Sequence, residues 1–152
     1  MKPIFAALLA TVLFAAADVS AHDMPPPSGA EEPPAQTIGD MMAMQQMRHI
    51  KLWFAGRSGN WPLADYEIDK LKDGFEKVQE QLGGETVEKT VGPGISALEK
   101  AVDGKDRAAF AAAFDRLSAG CNSCHTMLDH AYIVIQRPNS LPYSDQFFAA
   151  PK

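Results

Sequence analysis

Cys121, Asn122, Ser123, Cys124 and His125 bring two thiols and an imidazole into five residues, and the chain has no other cysteine. Four chemistries use such a group. A disulfide between the two thiols would close a tiny loop and constrain little of the unfolded chain. A thiol–disulfide exchange pair belongs in a βαβ setting, and the flanking sequence reads as helix. A zinc site would have to recruit His49 or His130, without the paired-histidine spacing such sites use. The fourth is covalent attachment of one haem, for which CxxCH is the recognised pattern. Thiols one helical turn apart can reach two vinyl groups on one edge of the porphyrin, and the adjacent imidazole is then brought toward the iron. A chance match at three fixed positions is the remaining reading.

The elements that must position this group are helical. Apolar residues Met44, Met47, Ile50 and Phe54 predict one face of a helix from about Gly39 to Ala55. Asn60-Trp61-Pro62 supplies a cap and a first-turn proline for a second helix. Its stripe is Leu63, Tyr66, Leu71, Phe75, Val78 and Leu82. A third helix is expected in two pieces, Glu85 to Val91 and Ile95 to Val102, broken by Gly92-Pro93-Gly94. The fourth starts near Asp106, carries Phe110, Phe114, Leu117 and Cys121 on one face, and runs through His125 to about Ala131. Only Tyr132–Ile135 hints at a strand. The expected fold is all-α, an antiparallel four-helix bundle. An irregular tail, 132–152, should pack over it.

The first 21 residues read as a secretory signal. Lys2 precedes an apolar run from Ile4 to Ala17, and Val19-Ser20-Ala21 offers a cleavage site. The run falls short of the roughly 20 residues of a membrane span, and no stable membrane association is expected. Residues 22–37 are rich in proline and read as an unfolded leader, ahead of a helical domain over 38–152. Cleavage after Ala21 would expose His22 as an amino-terminal copper ligand, but no second histidine lies nearby. The formal charge is −5, and losing Lys2 and Asp18 together leaves it unchanged. No basic block is present, so nucleic acid is not an expected partner.

A late CxxCH on the last helix of a four-helix bundle, behind a signal peptide, resembles the cytochrome c′ family and its low-spin relatives. The likeness spans roughly Ile38 to Ala131. The tail after the haem helix departs from that pattern. The stretches Arg48–Gly56 and Asn60–Ala64 also resemble a less-described group of exported cytochrome c-like proteins. The resemblance implies that the first helix faces the open side of the haem. There it offers His49 as the first candidate for a sixth iron ligand beside His125, with Met47 and Met44 next.

His130 sits about 140° around a helix from His125 and reads as surface or support. Arg137 could pair with a haem propionate or simply be solvated. Trp53, Trp61, Phe110 and Phe114 read as core and pocket wall.

The function expected is a periplasmic monohaem carrier of electrons that works with a redox partner protein and can form a homodimer. The alternative is a five-coordinate protein that binds small gases such as NO or CO. A weaker one is a sensor or haem chaperone whose aromatic tail reports occupancy. No nucleophile motif or second cofactor signature suggests an enzyme.

Overall fold

The computed structural model describes residues 35–141, 143 and 145–150. The signal, the leader up to residue 34 and the His22 reading lie outside the described residues. Four helices follow one another: α1 (Ile38–Arg57), α2 (Trp61–Leu82), α3 (Thr86–Asp103) and α4 (Arg107–Met127). No strand forms among the described residues; Tyr132–Ile135 is irregular.

Each start has a local cause. Thr37 and Asp40 form a reciprocal capping box at α1, and the Gln36 carbonyl accepts from Gln81 Nε2 at 2.9 Å. Asn60 Oδ1 accepts from the Leu63 amide, with Pro62 in the first turn of α2. Asp106 accepts from the Ala108 and Ala109 amides at α4. The first turn of α3 lacks a cap of its own, and Gln79 of α2 accepts from its Glu88 amide.

Contacts across the helices set their directions. Gln45 and Arg48 meet Leu71 and Glu67, while Lys72 and Gln79 meet Glu99 and Glu88. Gly94 lies on Leu117 and Gly120 on Thr90. His49 meets Ser118, and Gly56 meets Phe110. In every pair, numbers rise on one helix as they fall on the other, so neighbours run antiparallel. The molecule is an all-α four-helix bundle.

Three expectations need correction. The third helix is continuous, with Pro93 inside it. Gly94 beside it belongs to packing, as does Gly120 of α4: a Cβ at Gly94 would stand 2.6 Å from the Leu117 Cα, and one at Gly120 would strike the Thr90 carbonyl. This close backbone approach to α4 holds the helix through the proline, which cannot donate to the Lys89 carbonyl.

Of the stripe Met44, Met47, Ile50 and Phe54, Phe54 is buried and Ile50 packs on the core, but Met44 is not part of the buried face. That face runs through Met41, Gln45, His49, Leu52, Phe54, Ala55 and Gly56, and Met44 is exposed. Two polar side chains belong to the inner face because each finds a partner there: Gln45 donates to the Leu71 carbonyl at 2.7 Å, and His49 bonds Ser118.

The fourth helix stops at Met127 rather than Ala131. Asp129 takes a left-handed conformation with φ 61°, and the His130 amide returns to the His125 carbonyl. Beyond it the tail lies on the bundle. Phe148 is buried against Phe54, the Ala149 carbonyl accepts from Asn60 Nδ2, and Lys51 lies over the Tyr143 ring.

Candidate functional site

Where α1 and α3 begin and α2 and α4 end, the bundle encloses a cavity of about 600 Å³. Cofactor sites run from roughly 300 to 1,000 Å³, whereas close-packed interiors rarely leave space beyond a water molecule. Its walls are mostly aliphatic and aromatic: Met42 from α1, Leu71, Phe75 and Val78 from α2, Val87 and Val91 from α3, Leu117 from α4. Cys121, Cys124 and His125 all face it, and so does His49. The sequence-predicted residues are therefore brought to one apolar space.

The α4 helix places the two thiols one turn apart, and both are free. Burial, with the neighbouring Cys124 adding to it, pushes the Cys121 thiol up to about 12. A thiol–disulfide exchange cysteine needs the opposite, a stabilised thiolate. Among the described residues no three His, Cys, Asp or Glu side chains gather to hold a metal ion. Iron in a porphyrin needs only axial side chains from the protein.

His125 is held in one orientation. Its Nδ1 lies 2.9 Å from the Ile133 carbonyl. A carbonyl only accepts, so Nδ1 carries the proton, and in the neutral ring the lone pair is then on Nε2. The carbonyl is held there because Asn122, inside the CxxCH, grips the same segment. Its Nδ2 donates to the Ile135 carbonyl at 2.9 Å, and its Oδ1 accepts from the Ile135 amide at 2.7 Å. Asn122 had no signal in the sequence, because its partner lies 13 residues on in an irregular segment.

His49 is deeply buried. Its ring packs on Phe114 at 4.2 Å, and its Nε2 lies 2.8 Å from Ser118 Oγ. Burial pulls its pKa down to about 4, so the ring is neutral at pH 7. Ser118 is seven residues before His125, close to two turns and about 10 Å along α4. The same antiparallel register carries Met42, seven residues before His49, to the level of His125. Of the alternatives, Met44 and Met47 do not face the cavity; Met42 does. The error follows directly from the misplaced stripe on α1.

Arg137 does not reach the cavity. Its guanidinium makes two 2.6 Å bonds to Asp115, donates to the Ala111 carbonyl and lies over Trp53 at 4.7 Å. A carboxylate on α4 takes the part expected of a propionate. His130 stands past the end of α4 at the cavity rim, with Nδ1 directed to the Leu128 carbonyl.

No family model, no curated protein and no solved structure matches this chain.

Proposed function

We propose that this chain is a c-type cytochrome that carries one haem in the cavity, joined to Cys121 and Cys124 through thioether bonds, with His125 as the proximal ligand. The observation that carries this reading is the convergence of both thiols and a lone-pair-bearing imidazole on one large apolar space. When bound, the iron would supply a reversible one-electron couple. The protein's part is to tether, orient and exclude water. Cys121 and Cys124 fix one edge, His125 presents Nε2, and the aliphatic walls of α2 and α3 sheathe the faces. Electron transfer to a redox partner in the periplasm is the function that suits a buried group with no substrate machinery beside it. No helix among the described residues is long and apolar enough to cross a membrane. The cytochrome c′ likeness fits the bundle and the late motif.

A second reading rests on His49. Its Nε2 is engaged by Ser118, so it reaches iron only by giving up that bond. A distal side left to Met42 and His49 in this arrangement also suits a five-coordinate site that binds NO or CO.

Expression with the haem-attachment machinery tests the cofactor. The mature chain should gain the mass of one haem, keep it through acid–acetone extraction, and lose it in Cys121→Ala/Cys124→Ala. A colourless chain of unmodified mass would overturn the reading. The spectrum then separates the two functions. A low-spin protein that turns high-spin in His49→Ala or in Met42→Ala is a six-coordinate carrier. A wild-type protein already high-spin and taking up CO at once is the gas-binding form.

A further inference from the structure

The Asn122 clamp lies on the side of α4 that meets the returning chain. The turn at residues 128–133 is closed by the His130 amide on the His125 carbonyl and the Ile133 amide on the His130 carbonyl. Such a turn fixes where the chain leaves the helix but not how closely its next residues lie against it. Asn122 does that with one donor and one acceptor on a single peptide-bearing residue, Ile135. Two residues upstream, the Ile133 carbonyl faces His125 Nδ1. Arg137, two residues downstream, ties the same segment to Asp115. Its grip lies four residues beyond the carbonyl that matters.

Resting on the cofactor reading above, we propose that Asn122 is a positioning residue for the proximal ligand. By pinning residues 133–135 it holds the Ile133 carbonyl on His125, fixes the proton on Nδ1, and makes Nε2 a stronger donor to iron. A hydrogen bond from the remote nitrogen of a metal-bound histidine fixes its tautomer and raises its basicity, and such bonds are a lever on haem potential. A more basic imidazole favours ferric iron, so the clamp lowers the midpoint potential.

The test uses Asn122→Ala in two preparations, with Arg137→Ala as the comparison. In apoprotein at a pH where the ring is neutral, imidazole ¹⁵N shifts should report an Nδ1-protonated His125 in the wild-type chain. They should move toward the Nε2-protonated form in Asn122→Ala. Amide exchange at Ile135 should speed up in the same variant. In the haem-loaded protein the midpoint potential should rise in Asn122→Ala and stay near wild type in Arg137→Ala. Unchanged ¹⁵N shifts and an unchanged potential in Asn122→Ala would overturn the proposal. So would equal changes in Arg137→Ala, since docking of the tail as a whole would then be the cause. If the wild-type chain never binds haem, the cofactor reading falls, and the apoprotein shifts still decide whether Asn122 sets the tautomer.

Discussion

The two ends of the bundle are made from the same four helices and have opposite interiors. At the end that holds the 58–60 and 104–106 connections, Trp53, Trp61, Phe110 and Phe114 interlock with ring centroids 4.9 to 6.3 Å apart. The Phe110 ring lies over Gly56, and Phe148 of the tail packs on Phe54 nearby. At the other end, branched aliphatic side chains and the small residues Gly39 and Ala43 surround the cavity. Flat rings interleave and fill space, while aliphatic walls on helices held at a fixed separation leave it. One end holds the helices in place, and the other can receive something large. The thiols and His125 are at the receiving end.

The largest effect should separate the ends by stability. Phe110 is almost wholly buried, and Phe110→Ala should cost about 3–5 kcal/mol. Phe75 is half-buried and lines the cavity, so Phe75→Ala should cost less than half as much in apoprotein. Urea unfolding of both variants measures this. Equal losses would mean that the cavity end is packed as tightly as the aromatic end.

His49 sits where the two interiors meet, against Phe114 on one side and the cavity on the other. Its folded-state pKa of about 4 lies below the ordinary 6.5, so the folded chain resists a proton that the unfolded chain accepts. Stability from the buried neutral ring is complete above about 6.5, is lost as pH falls, and stops falling below about 4. The whole change is up to about 3 kcal/mol. Burial raises the Glu67 carboxyl, which acts in the opposite sense, so the comparison with His49→Gln isolates the ring. Unfolding free energies of the apoprotein between pH about 7 and about 4.5 should slope in the wild type and flatten in the variant. Parallel slopes would place His49 in water.

The smallest effect concerns the tail. Arg137 and Asp115 are both substantially exposed, and exposed pairs contribute roughly 0–1 kcal/mol. Arg137→Ala should lower stability by no more than about 1 kcal/mol and leave haem binding intact. Loss of haem in that variant would put Arg137 back in contact with the cofactor.

What the sequence revealed follows how local the cause is. Asn60 with Pro62, and Asp106 ahead of α4, are signals that act within three residues, and both mark real starts. Of the stripe Phe110, Phe114, Leu117 and Cys121, the first three are buried and Cys121 is half-buried, so this stripe does lie on the inner face. On α1 apolar residues occur on every side, so pattern alone found Phe54 and Ile50 but took Met44 for an inner residue and passed over Gln45 and His49. Gln45 and His49 are inside because of Leu71 and Ser118, 26 and 69 residues away. Gly92-Pro93-Gly94 is a break by local rules and a continuous helix once α4 lies against it. At the site, Cys121, Cys124 and His125 were legible because they stand within five residues of one another, and the fold turns all three to one cavity. The Ile133 carbonyl that orients His125 was not, since any residue has a carbonyl. Arg137 suits either of two carboxylates, and only the fold places Asp115 beside it.

The close approach of α3 and α4 through Gly94 and Gly120 also bears on motion. Of the packed neighbours, α3 and α4 share the most extensive contact and α1 and α4 the least. Fluctuations that open a native protein part way follow its thinnest contacts. Here these run along α1 and α4, beside a cavity to which both contribute walls. On that ground the molecule should open like a book whose spine is the α2–α3 side and whose free edge is α1 against α4. A disc as large as a macrocycle would enter at the pace of that page-turning, before any thioether bond holds it, and the close approaches at Gly94 and Gly120 would leave that pace untouched.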